Sequence, residues 1–187
     1  MSNIDLNESA ANYWKEIDIA YSAAKELFIL SEEKLNNMSL FPAPLLEHRD
    51  ALDHIMRYSR IISEKGLCSD AISELSSAKQ HEIRAYFDIA DYICISVRAE
   101  IAEKLNTLTV KEITKIWNEY KNIRSRVIAI SDDIASIRNS RKESLSSIRD
   151  YQNAISEIFQ IYDSFQIEVL PKIEQSLWNR IRKLFKS

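Results

Sequence analysis

"ITKIWNEYKNIRSRVIAISDDIASIRNSRKESLSSIRDYQNAISEIFQIYDSF", residues 113–165, repeats an apolar pattern every seven residues. Ile113, Tyr120, Val127, Ile134, Ile148, Ile155 and Tyr162 occupy one position of the repeat, interrupted once by Arg141. Ile116, Ile123, Ile130, Ile137, Tyr151, Ile158 and Phe165 occupy its partner, interrupted once by Ser144. Alternating threes and fours bring one set of side chains to one stripe of a helix, whereas a strand would need a period of two. So narrow and regular a seam implies helices packed side by side, as in a coiled coil or a long antiparallel bundle. The first half of it, Ile113, Ile116, Tyr120, Ile123, Val127, Ile130, Ile134 and Ile137, is the surface expected to bind a partner helix, within the chain or on another copy. Both interruptions fall in "NSRKESLSS", residues 139–147, where Ser140 and Glu143 have the spacing of a capping box. A hairpin turn there is expected in preference to one helix about 80 Å long.

Outward from this segment the chain keeps a helical period. Trp14, Ile17, Tyr21, Ala24, Leu27, Phe28 and Leu35 define a first helix over 5–37, which "NNMSLFPAP" ends. A second helix runs from Pro44 to Lys65, with proline tolerated in its first turn and Gly66 as its stop. A third, over 69–106, carries Ile72, Leu75, Ile83, Tyr86, Ala90, Ile93, Val97, Ile101 and Leu105 along one stripe. Thr109 and Glu112 then form a capping box that opens a fourth. The expected fold is all-α: an elongated bundle of five or six long helices whose C-terminal half is heptad-patterned and coiled-coil-like. Its expected divisions are a three-helix region over 1–108, the heptad region over 109–170 and a C-terminal helix over 171–187.

Composition agrees with this reading. One glycine and three prolines in 187 residues are too few for the tight turns of a sheet protein. Cys68 and Cys94 make no C-x-x-C pair, and "MSNIDLNESAANYW" lacks a basic stretch followed by an apolar one, so a reducing, cytoplasmic setting is expected. A single glycine also excludes phosphate-cradling glycine loops, and no serine elbow or cysteine–histidine nucleophile can be placed. No cofactor is expected.

The net charge of −3 is unevenly spread. From Pro171 onward, Lys172, Arg180, Arg182, Lys183 and Lys186 face only Glu174, which makes this end +4 and leaves −7 for the rest. An acidic body argues against duplex DNA as a partner, since such binding comes mainly from neutralising phosphates. The tail "KIEQSLWNRIRKLFKS" instead reads as a basic amphipathic helix. Trp178, Arg180, Ile181, Arg182, Lys183 and Phe185 are its expected contacts with its own bundle, a partner groove or an anionic membrane surface.

In "FPAPLLEHRDALDHIMRYSR", residues 41–60, Arg49 and His54 stand about 140° apart on a helix, flanking a face that holds Asp50, Asp53 and Arg57. One reading makes these ordinary ion pairs one turn apart. Glu47, Asp50 and His54 share a face, but no second acidic helix or further histidine is at hand, so no metal is expected. The "RDALDH" stretch also resembles the HEPN superfamily of helical domains, whose ribonuclease members carry an arginine, a polar residue, any three residues and a histidine. The resemblance implies metal-independent RNA cleavage across a homodimer, with the 2′-hydroxyl attacking the adjacent phosphate. His54 would act as acid or base, Arg49 would neutralise the phosphorane and Asp50 would orient one of them.

The heptad seam is the most extensive of these signals, and the leading expectation is a non-catalytic assembly or partner-binding module, self-association included. An HEPN-like endoribonuclease acting on RNA, as a toxin or defence effector, and a peripheral membrane protein are the alternatives.

Overall fold

The computed structural model describes residues 3–35, 42–139 and 144–185, and the chain is an all-α helical bundle with no strand among them. Its elements are α1 (Asn3–Lys34), α2 (Ala43–Lys65), α3 (Ser69–Leu105), α4 (Val110–Ile116), α5 (Tyr120–Asn139), α6 (Leu145–Ser164), a π-helical turn (Phe165–Val169) and α7 (Leu170–Leu184). Local chemistry sets most of the ends. Gly66 adopts φ 74°, a conformation costly for other residues, and its N–H donates to the Ile62 carbonyl at 3.0 Å. At the start of α4, Thr109 accepts from the Glu112 N–H while the Thr109 N–H donates to the Glu112 carboxylate at 2.8 Å. Asn36 and Asn37, expected at the end of α1, and the Ser140–Glu143 box lie outside the described residues. The cap of α6 is Ser144, whose hydroxyl accepts from the Ser147 N–H at 3.4 Å.

α3 is the spine. It is 37 residues long, about 55 Å at 1.5 Å per residue, and its middle is buried nearly all round: Ile83, Tyr86, Phe87, Ile89, Ala90, Ile93 and Val97 are all closed to solvent. A spine of this kind needs neighbours on several sides, and α1, α2 and α6 supply them. The largest core cluster joins Ala20, Ala24 and Leu27 of α1 to the middle of α3, to Ile130 and Ile134 of α5, and to Ile148, Tyr151, Ile155, Ile158 and Tyr162 of α6. It therefore draws on residues to both sides of position 108. A second cluster at the far end holds Leu105, Leu108, Ile113, Trp117, Phe165, Val169 and Ile173.

α5 and α6 run antiparallel. The Tyr151 hydroxyl donates to the Ile134 carbonyl at 2.9 Å, and Arg126 donates to both oxygens of Glu157 at 2.5 and 2.7 Å. The heptad seam faces inward: Ile113, Ile130 and Ile134 are buried, Val127 packs on the main core, and Ile116, Tyr120 and Ile123 pack on the second. The side chain of Ile137 lies outside the described residues.

Two features depart from the sevenfold pattern. At Trp117 the backbone leaves the helix (φ −130°, ψ 86°) and separates α4 from α5, with the indole buried beside Phe165 at 5.6 Å between centroids. Burial of a large aromatic there overrides continuation of the helix. The second is that α6 and α7 form one continuous path through the π turn, where the Leu170 N–H donates to the Phe165 carbonyl. Pro171 explains it: proline lacks the N–H that an α-helix would direct to Ile167, and its ring would strike that carbonyl, so the helix widens by one residue as it passes.

Candidate functional site

All three histidines of the chain lie in the packed seam between α2 and α3, each aimed at a glutamate through Nδ1. His48 meets Glu82 at 2.7 Å, His54 meets Glu74 at 2.6 Å and His81 meets Glu47 at 2.8 Å. At His48 and His81 the carboxylate faces Nδ1 alone and accepts from it, whereas the His54 Nδ1 lies between Glu74 and the Arg57 Nη2, the latter at 2.9 Å and able only to donate. The rings of His54 and His81 stack with centroids 5.1 Å apart. Arg57 adds its Nε to Glu74 at 3.0 Å, and Arg84 approaches Glu47 at 3.5 Å. Burial raises the Glu74 carboxyl, yet the hydrogen bonds from His54 and Arg57 outweigh it and hold that carboxyl below its ordinary value.

Within the R-D-x-x-x-H stretch Arg49 and Asp50 are bonded to each other, and His54 pairs across the seam with Glu74. Arg49 is 67% exposed and donates through Nε and Nη2 to its own neighbour Asp50, at 2.9 and 2.7 Å. That hydrogen bond holds the Asp50 carboxyl below its ordinary value and raises the guanidinium above its own. His54 is turned the other way, into the α2–α3 seam, with 20% of its side chain exposed. His54, expected to flank the polar face of Asp50, Asp53 and Arg57, is thus partly buried against α3. The reason is its partners, Glu74 and His81, which stand on a helix that the local spacing could not place. His81, isolated in the sequence, proves to be the ring beside it. Glu47, Asp50 and His54 do not form a metal nest, since no group of three or more acidic, histidine or cysteine side chains among the described residues is placed to hold an ion.

The C-terminal helix is divided along its length. Ile173 is buried, Leu177 packs on the second cluster, and Arg180 crosses to the Thr107 carbonyl and the Glu112 carboxylate. The Thr109 backbone N–H, with Arg180 and the Thr109 hydroxyl, brings the Glu112 carboxyl down to about 2. Beyond Leu177 three apolar side chains face solvent: Trp178 is 63%, Ile181 42% and Phe185 86% exposed. At about 100° per residue these three fall within about 60° of one another, between the docked stripe and the side carrying Lys172 and Arg182. Arg182 is exposed, and the side chain of Lys183 lies outside the described residues. No helix among the described residues is long and apolar enough to cross a membrane. No family model, curated protein or solved structure matches the chain.

Proposed function

We propose that this chain is a non-catalytic helical binding module that docks through α7 on an anionic membrane surface. The observation that carries the reading is the half-docked helix: Ile173 and Leu177 fasten its start to the body, while Trp178, Ile181 and Phe185 stand in solvent beside cations. Aromatic and aliphatic side chains next to lysine and arginine suit the boundary between lipid headgroups and acyl chains, where each buried apolar group and each cation adds affinity. The acidic body would be held away from such a surface by repulsion, so the helix end alone would make contact. Sedimentation with vesicles tests this. Binding is expected to phosphatidylserine-containing vesicles, to weaken as salt rises, and to fall roughly fivefold in Arg182→Gln, given about 1 kcal/mol per basic residue near the surface. Equal binding to neutral vesicles, or none to anionic ones, would end the membrane reading and leave an acidic protein groove as the partner to seek.

One observation favours a second reading, the HEPN-like endoribonuclease. Two stacked imidazoles, each oriented by a glutamate, suit proton transfer near neutral pH. Against it, every nearby guanidinium is engaged: Arg49 by Asp50, Arg57 by Glu74 and Arg84 by Glu47. A phosphate would have to displace one of these carboxylates. RNA incubated with the protein in EDTA, alongside His54→Ala and Arg49→Ala, separates the two: cleavage lost in both variants at unchanged thermal stability would favour the enzyme.

A further inference from the structure

A slot of about 230 Å³ opens between α3 and α5, floored by Ile161 of α6. Its walls are Ile101 and Leu105 on one side and Ile123 and Val127 on the other, with Trp117 and Tyr120 at the α4–α5 junction. Its charges are all of one sign. Arg98 and Arg124 stand in the lining, and in a chain of net charge −3 no carboxylate joins them. Arg98 reaches Ser131 at 3.2 Å, and Arg124 has no ion-pair or hydrogen-bond partner among the described residues. An apolar slot with a few polar groups in its lining has the general form of a ligand site. This one is too small for a helix, whose diameter with side chains is about 10–12 Å.

We propose that the slot binds a single alkyl chain bearing an anionic head group, the chain lying between α3 and α5 and the head held by Arg98 and Arg124. Apolar carbon on the walls takes the chain out of water, and the guanidinium groups offer forked donors matched to a carboxylate or phosphate. The inference deepens the membrane reading and rests on it only for the source of the chain. Leu105 and Trp117 of the slot share a core cluster with Ile173 of α7, so slot and docking helix lie at the same end of the molecule.

The test uses the full chain and monomeric decanoate, with no bilayer present, so that its failure is distinct from a failure of membrane docking. Calorimetry should show decanoate binding at one per chain and no binding of decyltrimethylammonium, which has the same tail and the opposite charge. The double variant Arg98→Gln, Arg124→Gln should weaken decanoate by roughly a hundredfold or more, since it removes both charge-assisted donors to the head group. Ala102→Phe fills the slot from an exposed helical position and should abolish binding with the far-UV circular dichroism and melting temperature unchanged. Trp178→Ala with Phe185→Ala should remove vesicle binding and leave decanoate binding intact. Brominated lipids then identify the source through the quenching that disappears in Trp117→Phe. Quenching by brominated phosphatidylserine vesicles means a chain drawn from the bilayer, and quenching by brominated free fatty acid alone means one taken from solution. Equal affinity for the cationic and anionic amphiphiles, decanoate binding retained in Ala102→Phe, or an altered solution mass in that variant would overturn the proposal. The last result would assign the slot to a second copy of the chain.

Discussion

Cys94 and Cys68 differ first in burial. Cys94 lies in the main core, and burial pushes its thiol up to about 12, whereas Cys68 at the start of α3 is partly open. Since the thiolate is the reactive form, iodoacetamide at pH 8 should label Cys68 in the native protein and reach Cys94 only after denaturation. Mass spectrometry of the labelled peptides reads the outcome, and native labelling of Cys94 would contradict its place in the core. Glu82 offers a second test at this scale. Only 6% of its side chain is exposed and His48 is its partner, so His48→Ala leaves a buried carboxylate without its donor and should cost about 1–3 kcal/mol in urea unfolding. The seam of histidines and glutamates was only half legible in the sequence. The spacing from Arg49 to His54 shows which face each residue takes on α2, but their partners Glu74, His81 and Glu82 are 20 to 34 residues away on α3. Pairings of that kind depend on how two helices are packed together, which no local period records.

Among the elements, α7 is held by one charged contact that can be titrated. Glu112 has its carboxyl lowered to about 2 by the Thr109 N–H and then by Arg180, against an ordinary value of 4.5. A depressed carboxyl stabilises the fold fully above its ordinary value, and the contribution fades as pH falls from there towards 2. The protection of α7 amides, taken relative to the intrinsic exchange rate at each pH, is therefore expected to fall between pH 4.5 and 2, and Glu112→Gln should show that lower protection already at pH 7. An unchanged α7 in the variant would mean that Ile173 and Leu177 suffice to hold it. Helix ends were well legible wherever the cause is local. Gly66, the Thr109–Glu112 box and Pro44 in the first turn of α2 each act through their own backbone. The break at Trp117 and the π turn before Pro171 were not. One follows from an indole buried against Phe165, a residue 48 positions on, and the other from a helix continuing past a proline because Ile173 and Leu177 anchor the stretch beyond it.

At the scale of the molecule, the heptad seam that marks helix association in the sequence is spent mainly within the chain, on the core that α5 and α6 share with α3. That core passes from Ala20 of α1 to Tyr162 of α6 without a gap, and the continuous helix α3 runs from the α1–α2 end to the α4–α7 end. Energy lost at the middle should therefore be felt at both ends. Two tryptophans report on them separately: Trp14 stacks edge-on against Tyr58 of α2, and Trp117 lies against Phe165. In variants that keep only one of these and carry Trp178→Phe, fluorescence and far-UV circular dichroism should give one coincident urea transition, as a single cooperative unit does. Ile158→Ala removes a fully buried side chain from the shared core and should lower stability by roughly 2–5 kcal/mol through lost burial and the cavity left behind. Both tryptophan signals should then move to lower denaturant by the same amount. If Trp14 kept its midpoint while Trp117 lost it, the first three helices would be a separately folding unit, and α3 would have to be read as a linker between two bodies.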